Sequence, residues 1–346
     1  MVEETQEQDN SSSEEELYEH HQFTVDPGQS PLRIDKYLMH KIQNASRTKL
    51  QAAMRNNSVL VDDKPVKPNF KVKPNQEISI VLPYPPRDTT VHPEELDIEY
   101  VYQDDDLAII NKQSGIVVHP GFNNYTGTLL HGLLYDFNKT ILPDIKITPQ
   151  LAHRIDKNTS GLLVVAKHED CLAHLANQFY HHTIERKYLA LVWGNFEEDH
   201  GTIEAPLARD NKDRRKRSVP ANPELGKHAI THYKVLENFH FCSLIECKLE
   251  TGRTHQIRAH MAHIGHPIFA DERYGGDKIW KGSRHAKFKQ FIDNCFKIIP
   301  RQALHAQVLG FEHPKTKKEV YFEAELPSDF TLVLEKIRDY VTNNTL

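Results

Sequence analysis

The sequence predicts an α+β protein: a larger domain built on a mixed, largely antiparallel sheet flanked by helices, preceded by a small N-terminal α+β module. Three observations predict it. The chain has 346 residues, which at roughly 150 residues per domain suggests two. Its composition, 38% apolar and 26% charged, suits a globular protein with room for a substantial core. Its strand-like runs are joined by loops and hairpins more often than by regularly spaced crossover helices, which argues against a doubly wound parallel sheet.

Residues 1–22 carry eight acids and no Lys or Arg, with almost nothing to bury, and are expected to be a disordered acidic tail. In 23–83, Ile34, Tyr37, Leu38 and Ile42 recur at helical spacing. Leu50, Ala53 and Met54 do the same behind a candidate cap at Ser46. Strand-like segments follow at 59–61 and 78–82. Residues 84–95, opening Tyr-Pro-Pro-Arg, form a proline-stiffened linker. The larger domain, 96–330, offers strands at 98–102, 107–111, 161–166, 186–192 and 241–249. One helix carries Leu172, Leu175, Ala176 and Phe179. Another runs from Thr254 through Ile257, Met261 and Ile264 to a stop at Gly265. Residues 331–346 read as a C-terminal helix or tail.

The net charge of −5 conceals an asymmetry: without the first 22 residues the chain carries +3, and residues 31–83 hold ten Lys or Arg against four acids. A basic module fits a polyanionic partner, and a solvated charged face is the plainer alternative. The loop at 209–217 adds six basic residues against Asp210 and Asp213. No apolar run reaches the length of a membrane span, and no secretory leader is visible. The four cysteines form no C-x-x-C pair, against both a disulfide scaffold and a thiolate metal site. A cytoplasmic location is the default expectation, without metal or cofactor, because G-x-G-x-x-G and P-loop patterns are missing too.

The informative stretch is 151–167, Leu-Ala-His-Arg-Ile-Asp-Lys-Asn-Thr-Ser-Gly-Leu-Leu-Val-Val-Ala-Lys. An apolar strand starts at Gly161, preceded by a polar loop whose single acid, Asp156, sits between cations. Such surroundings favour an ionised carboxylate, suited to a nucleophile or electrostatic partner, although a lone Asp in a loop is ordinarily a cap or turn residue. The pattern His153-Arg154-x-Asp156-x-x-Thr159-Ser160-Gly161-Leu162-Leu163 resembles the catalytic motif of the RluA family of pseudouridine synthases, with Ile155 where Leu is usual. Further segments resemble that family in the same order: Val118 to Gly121 with Thr128 to Leu130, Glu185 to Val192, Thr251 to His260, and Leu304 to Ala306. Residues 23–83 resemble the S4 RNA-binding domain, with Asn57-Ser58 and Asn75-Gln76 where the family carries Gly and Gly-Asp; Asn tolerates the positive φ those turns need. Module order, the basic loop and 226–233 are most similar to the RluD-type enzymes, which act on large-subunit ribosomal RNA.

The resemblance implies a reaction that breaks N1–C1′ of a uridine, turns the uracil and joins C5 to C1′, with neither redox nor phosphate chemistry. It places Asp156 as the carboxylate acting at the ribose, Arg258 as the arginine paired with it, and Tyr188 as the active-site tyrosine. Arg154 would fill the space left by a flipped base, with a plain salt bridge as its alternative, and His153 stands beside it. Arg33, Arg47, Lys49 and Arg55 are the cations expected to meet RNA on the S4-like helices. RNA is the partner implied, and the chain is expected to act as a monomer without a nucleotide cofactor or a membrane. Two other classes compete. A non-catalytic RNA-binding or ribosome-assembly protein would not need Asp156, Tyr188 and Arg258 together. A metal nuclease would use His260, His263 and His266, but Gly265 and Pro267 break that helix.

Overall fold

A computed structural model describes residues 18–42, 46–82, 91–121, 123–139, 147–283 and 285–344. The acidic stretch 1–17 and residues 83–90, which include 84–90 of the expected linker, lie outside them. The chain divides into two compact units, Met1–Thr90 and Val91–Leu346.

The first unit contains β1 (Tyr18–Thr24), β2 (Leu32–Arg33), α1 (Ile34–Lys41), α2 (Arg47–Arg55), β3 (Val59–Val61), β4 (Lys64–Pro65), β5 (Lys71–Val72) and β6 (Glu77–Leu82). Four strands form a sheet in the order β1-β6-β3-β4, and β2 pairs with β5. The helical spacing buries Ile34, Tyr37 and Leu38 of α1 against Leu50 and Met54 of α2 and the strand residues Val59, Val72 and Ile78. The Ser46 side chain caps α2 by accepting the Lys49 amide. Asn57 and Asn75 adopt φ of 56° and 62°, the left-handed turns that their position required. One finding corrects the sequence reading: β1 begins inside the stretch expected to be disordered, pairing antiparallel with β6. Strand pairing is satisfied by backbone groups, so a polar sequence such as Tyr18 to Gln22 gives no apolar signal of it.

The second unit comprises β7 (Tyr100–Gln103), β8 (Leu107–Lys112), α3 (Leu129–Asn138), β9 (Ser160–Ala166), α4 (Glu169–Tyr180), β10 (Glu185–Trp193), β11 (His200–Glu204), β12 (Ala208–Arg209), β13 (Arg217–Ser218), β14 (Ile230–Asn238), β15 (Cys242–Leu249), α5 (Gln256–His263), α6 (Ala286–Ile298), β16 (Leu304–Glu312), β17 (Glu319–Glu323) and α7 (Ser328–Asn344). The main sheet runs β11-β14-β15-β10-β16-β9-β8-β7, with β17 also on β16. Every neighbouring pair is antiparallel except β16 with β9, which run parallel through His305–Ser160 and Ala306–Gly161. Alternate residues of β8 and β9 serve both faces. Leu107, Ile109, Leu162 and Val164 join Cys171 and Leu175 of α4, while Ala108, Ile110, Leu163 and Val165 enter the larger core. That double burial is why Gly161 to Ala166 reads as an unbroken apolar run.

Three boundaries differ from the sequence reading. Helix α5 starts at Gln256, not Thr254, because His255 takes φ 57°; Gly265, at φ 85°, ends the turn that follows. The basic stretch 209–217 is closed as a hairpin by β12 and β13, with Asp210 accepting the Lys212 and Asp213 amides inside it. The C-terminal segment, read apart from 96–330, is a helix that shares the main core: Phe330, Val333, Leu334 and Ile337 of α7 are buried in it. None of the described helices is long and apolar enough to cross a membrane.

Candidate active site

The loop before β9 carries Asp156, and buried cations hold it from beneath. Lys112, at the end of β8, donates to the carbonyls of Gln113 (2.7 Å), Ile116 (3.0 Å) and Lys157 (3.1 Å). Burial pushes its pKa down to about 7. Arg301 donates to the Asn158 carbonyl and forks onto Asp329 of α7 at 2.7 and 2.8 Å. Ser160 meets His305 of β16 at 3.0 Å. Gly161 lets this crossing happen: it sits at φ 112°, and a Cβ there would run into the Ala306 carbonyl. The acid is therefore fixed by elements from both ends of the unit.

Above the loop, the buried Arg258 of α5 joins two carboxylates. Its Nη1 donates to Asp156 Oδ2 at 2.7 Å, and its Nε and Nη2 donate to Asp271 at 2.7 and 2.8 Å. Burial opposes the guanidinium charge, but Asp271 and Asp156 outweigh it and raise its pKa. The Tyr274 ring covers the guanidinium at 5.1 Å. His255 Nε2 lies 3.9 Å from the same Asp156 oxygen, and burial lowers its pKa to about 4, leaving the ring neutral near pH 7. Gln256 ties down the approach to α5 by accepting the Arg253 amide and donating to the Ile230 carbonyl.

Tyr188 of β10 faces Asp156 across a cleft also lined by Thr159, Leu249, Arg253 and Leu304. The ring is buried, which raises its pKa, and its hydroxyl has no hydrogen-bond partner among the described residues. At its floor the cleft is narrow, about 50 Å³. It adjoins two basins, one of about 550 Å³ beside Arg154 and Arg186 and one of about 330 Å³ beside Arg273 and Arg301. Arg154 is exposed at the junction of all three and makes no ion pair among the described residues.

The structure thus brings Asp156, Arg258, Tyr188 and Arg154 to one place. His153 stands apart in role: its Nε2 accepts the Val164 amide at 3.0 Å and its ring packs on Phe179, so that nitrogen is spent on the fold. On the first unit, Arg33 and Arg47 converge with Gln51 on the fully buried Asp35. Burial would raise that carboxyl's pKa, but the hydrogen bonds from these three side chains win and hold it well below the usual range. Lys49 and Arg55 are exposed. The metal-nuclease reading loses His260, whose Nε2 donates to the Ala205 carbonyl while Nδ1 accepts from Thr231. Sequence reasoning missed Asp271, His255 and Arg186. His255 lay within the Thr251–His260 pattern, but Asp271 is a lone acid after Ile268-Phe269-Ala270 with no local signal.

Comparison with known proteins adds the family. A family model described as RNA pseudouridylate synthase matches residues 106–263, and one described as the S4 domain matches 32–78. A Chlorobaculum parvum protein named as an uncharacterized RNA pseudouridine synthase is 43% identical over 91% of this chain and 96% of its own. The chain belongs to the RNA pseudouridine synthases. The ribosomal large subunit pseudouridine synthase D of Zymomonas mobilis is 39% identical over 88% of this chain and 93% of its own, and that of Nitrosomonas europaea is 38% identical over 92% and 88%. A human RNA pseudouridylate synthase domain containing 4 shares the fold, with TM-score 0.56 at 23% identity over 69% of this chain and 93% of that one. The synthase is therefore an isomerase of the RluA family, RluD-type, with an S4 RNA-binding domain at its N-terminus.

Proposed function

We propose that the synthase converts uridines of large-subunit ribosomal RNA to pseudouridine through the carboxylate of Asp156, acting at the ribose of a uridine flipped into the cleft. The observation that carries this reading is the 2.7 Å bond from buried Arg258, which aims one carboxylate at a cleft walled by Tyr188. Arg258 is itself locked by Asp271, so the geometry is set before substrate arrives. The names of the Zymomonas and Nitrosomonas relatives support the choice of RNA.

Chemically, N1–C1′ must break and C5–C1′ must form, while C5 loses a proton and N1 gains one. Asp156 serves in either of two ways: an oxygen attacks C1′ and is later displaced, or it takes the C2′ proton to give a glycal and returns it. Both begin from the same charged group, which Arg258 orients. Tyr188 supplies a ring for the uracil and a hydroxyl near C5, where the proton leaves. Extrusion of the base costs a few kcal/mol of stacking, and exposed Arg154 occupies the vacated position.

Tritium release from large-subunit ribosomal RNA labelled at uridine C5, with EDTA present, tests the reading. Release by the wild type and none by Asp156→Ala, at near-equal RNA affinity, is the expected result. Normal release by the variant would remove Asp156 from the mechanism, and release abolished by EDTA in the wild type would revive a metal-dependent one.

A further inference from the structure

Arg186 lies on β10 two residues before Tyr188 and is 6% exposed. Arg258 and Arg301, equally buried, each fork onto a carboxylate; Arg186 has no acidic partner among the described residues. Its one hydrogen bond there runs from Nη2 to the Glu250 carbonyl at 3.3 Å, and its Nε has none. The guanidinium lies 5.3 Å from the Phe179 ring centre. Gly252 makes room for it, since a Cβ at that position would stand 2.6 Å from Nη1. An unpaired buried guanidinium is costly, so its retention at this wall calls for an anion supplied from outside.

The surroundings specify which anion. Arg186 lines the basin of about 550 Å³, together with Arg154, Arg253 and His182, and no Asp or Glu is among its lining residues. Tyr180, on the same lining, is 78% exposed, an open ring of the kind that stacks on unpaired bases. The basin shares Arg154, Tyr188 and Arg253 with the reaction cleft. A group bound there is therefore one step along the strand from a nucleotide in the cleft. Arg's planar fork matches two phosphate oxygens.

We propose that this basin seats a phosphodiester adjoining the target uridine, with Arg186 as its buried anchor and Tyr180 beneath the neighbouring base. The inference rests on the reading that the target nucleotide enters the Asp156 cleft, and it extends that reading to how the flanking strand is held.

The test is a binding cycle on the full chain. In the large-subunit rRNA stem-loop that binds the wild type most tightly, each loop linkage is replaced in turn by a neutral methylphosphonate. Affinities are then measured for wild type, Arg186→Gln and Arg186→Lys. One linkage beside a uridine should weaken wild-type binding about tenfold or more, and the same change should cost Arg186→Gln nothing further. The slope of log affinity against log salt should fall by about one for Arg186→Gln and hold for Arg186→Lys. If Arg186→Gln does not fold, as judged by its melting curve, Arg186→Lys reads the same coupling, because a point charge only partly replaces the fork. Losses that multiply independently at every linkage would overturn the proposal. Tritium release from the unmodified RNA reports separately on Asp156: conversion with an additive cycle refutes only the phosphate seat, and a coupled cycle without conversion refutes only the reaction assigned to the cleft.

Discussion

Asp271→Asn isolates the one contact that makes Arg258 a fixed tool. Asp271 is almost fully buried and presents two oxygens to the Nε and Nη2 of Arg258. Asparagine keeps the shape but offers one acceptor, and its amide nitrogen would meet a guanidinium N–H donor to donor. One charge-assisted hydrogen bond, worth about 1.5–3 kcal/mol, is lost, and half of the guanidinium's buried counter-charge goes with it, for a total of about 3 kcal/mol. In a domain of this size that corresponds to a fall in Tm of roughly 6–12 °C. Arg258 then has Asp156 as its single anionic partner and turns towards it, rotating the carboxylate that acts at the ribose. Misplacement by about an ångström costs on the order of 100-fold in rate. Single-turnover tritium release should therefore slow 10- to 100-fold, while RNA affinity stays within a few-fold of wild type. A variant that melts within 2 °C or so of the wild type and turns over within about twofold would refute the view that Asp271 holds Arg258 in place.

Other outcomes follow from the same geometry. Gly161→Ala should destabilise the second unit by about 3 kcal/mol or more, since a left-handed φ and a backbone clash act together; chemical denaturation measures it, and a change below about 1 kcal/mol would contradict the close crossing. The fully buried His305 has its pKa lowered by burial to about 4, so below pH 6.5 the unfolded chain takes up a proton that the native one refuses. Its contribution is complete above that pH and declines towards pH 4 by up to about 1.4 kcal/mol per pH unit. His305→Asn, compared with wild type by urea titration at pH 8 and pH 5, should show the smaller loss on acidification. Removal of residues 1–90 should weaken binding to ribosomal RNA and flatten its salt dependence, because phosphate contacts release counterions; an unchanged slope would take the S4 unit out of the RNA contact.

Much of this arrangement was legible in the sequence where structure is local. The spacing of Leu172, Leu175 and Phe179 gave α4, and the run after Gly161 gave β9, because burial along one stripe or on both faces writes itself into consecutive residues. Asp156, Tyr188 and Arg258 could be found together because each sits in a recognisable stretch. What escaped depends on distant partners. Lys112 reads as a surface lysine until the loop carbonyls close around it. Asp271 acquires meaning only from Arg258, and Asp35 only from Arg33 at the end of β2 and Arg47 of α2. Strand β1 was invisible because its pairing with β6 uses the backbone, and the C-terminal helix was legible as an element but not in its packing, because nothing in its own sequence says which core it joins.

The brief parallel contact between β9 and β16 has a consequence for how the enzyme comes into being. Ser160 and Gly161, which end the Asp156 loop, are braced by His305 and Ala306, so the two halves of the brace are separated by most of the second unit. Such distant pairings form late, and during synthesis the earlier strand must wait on the ribosome for the later one to emerge. A chain ending at Arg258 would lack both Asp271, which fixes Arg258, and the strand that braces the Asp156 loop. The geometry of the cleft is therefore completed by residues well C-terminal to Asp156, Tyr188 and Arg258.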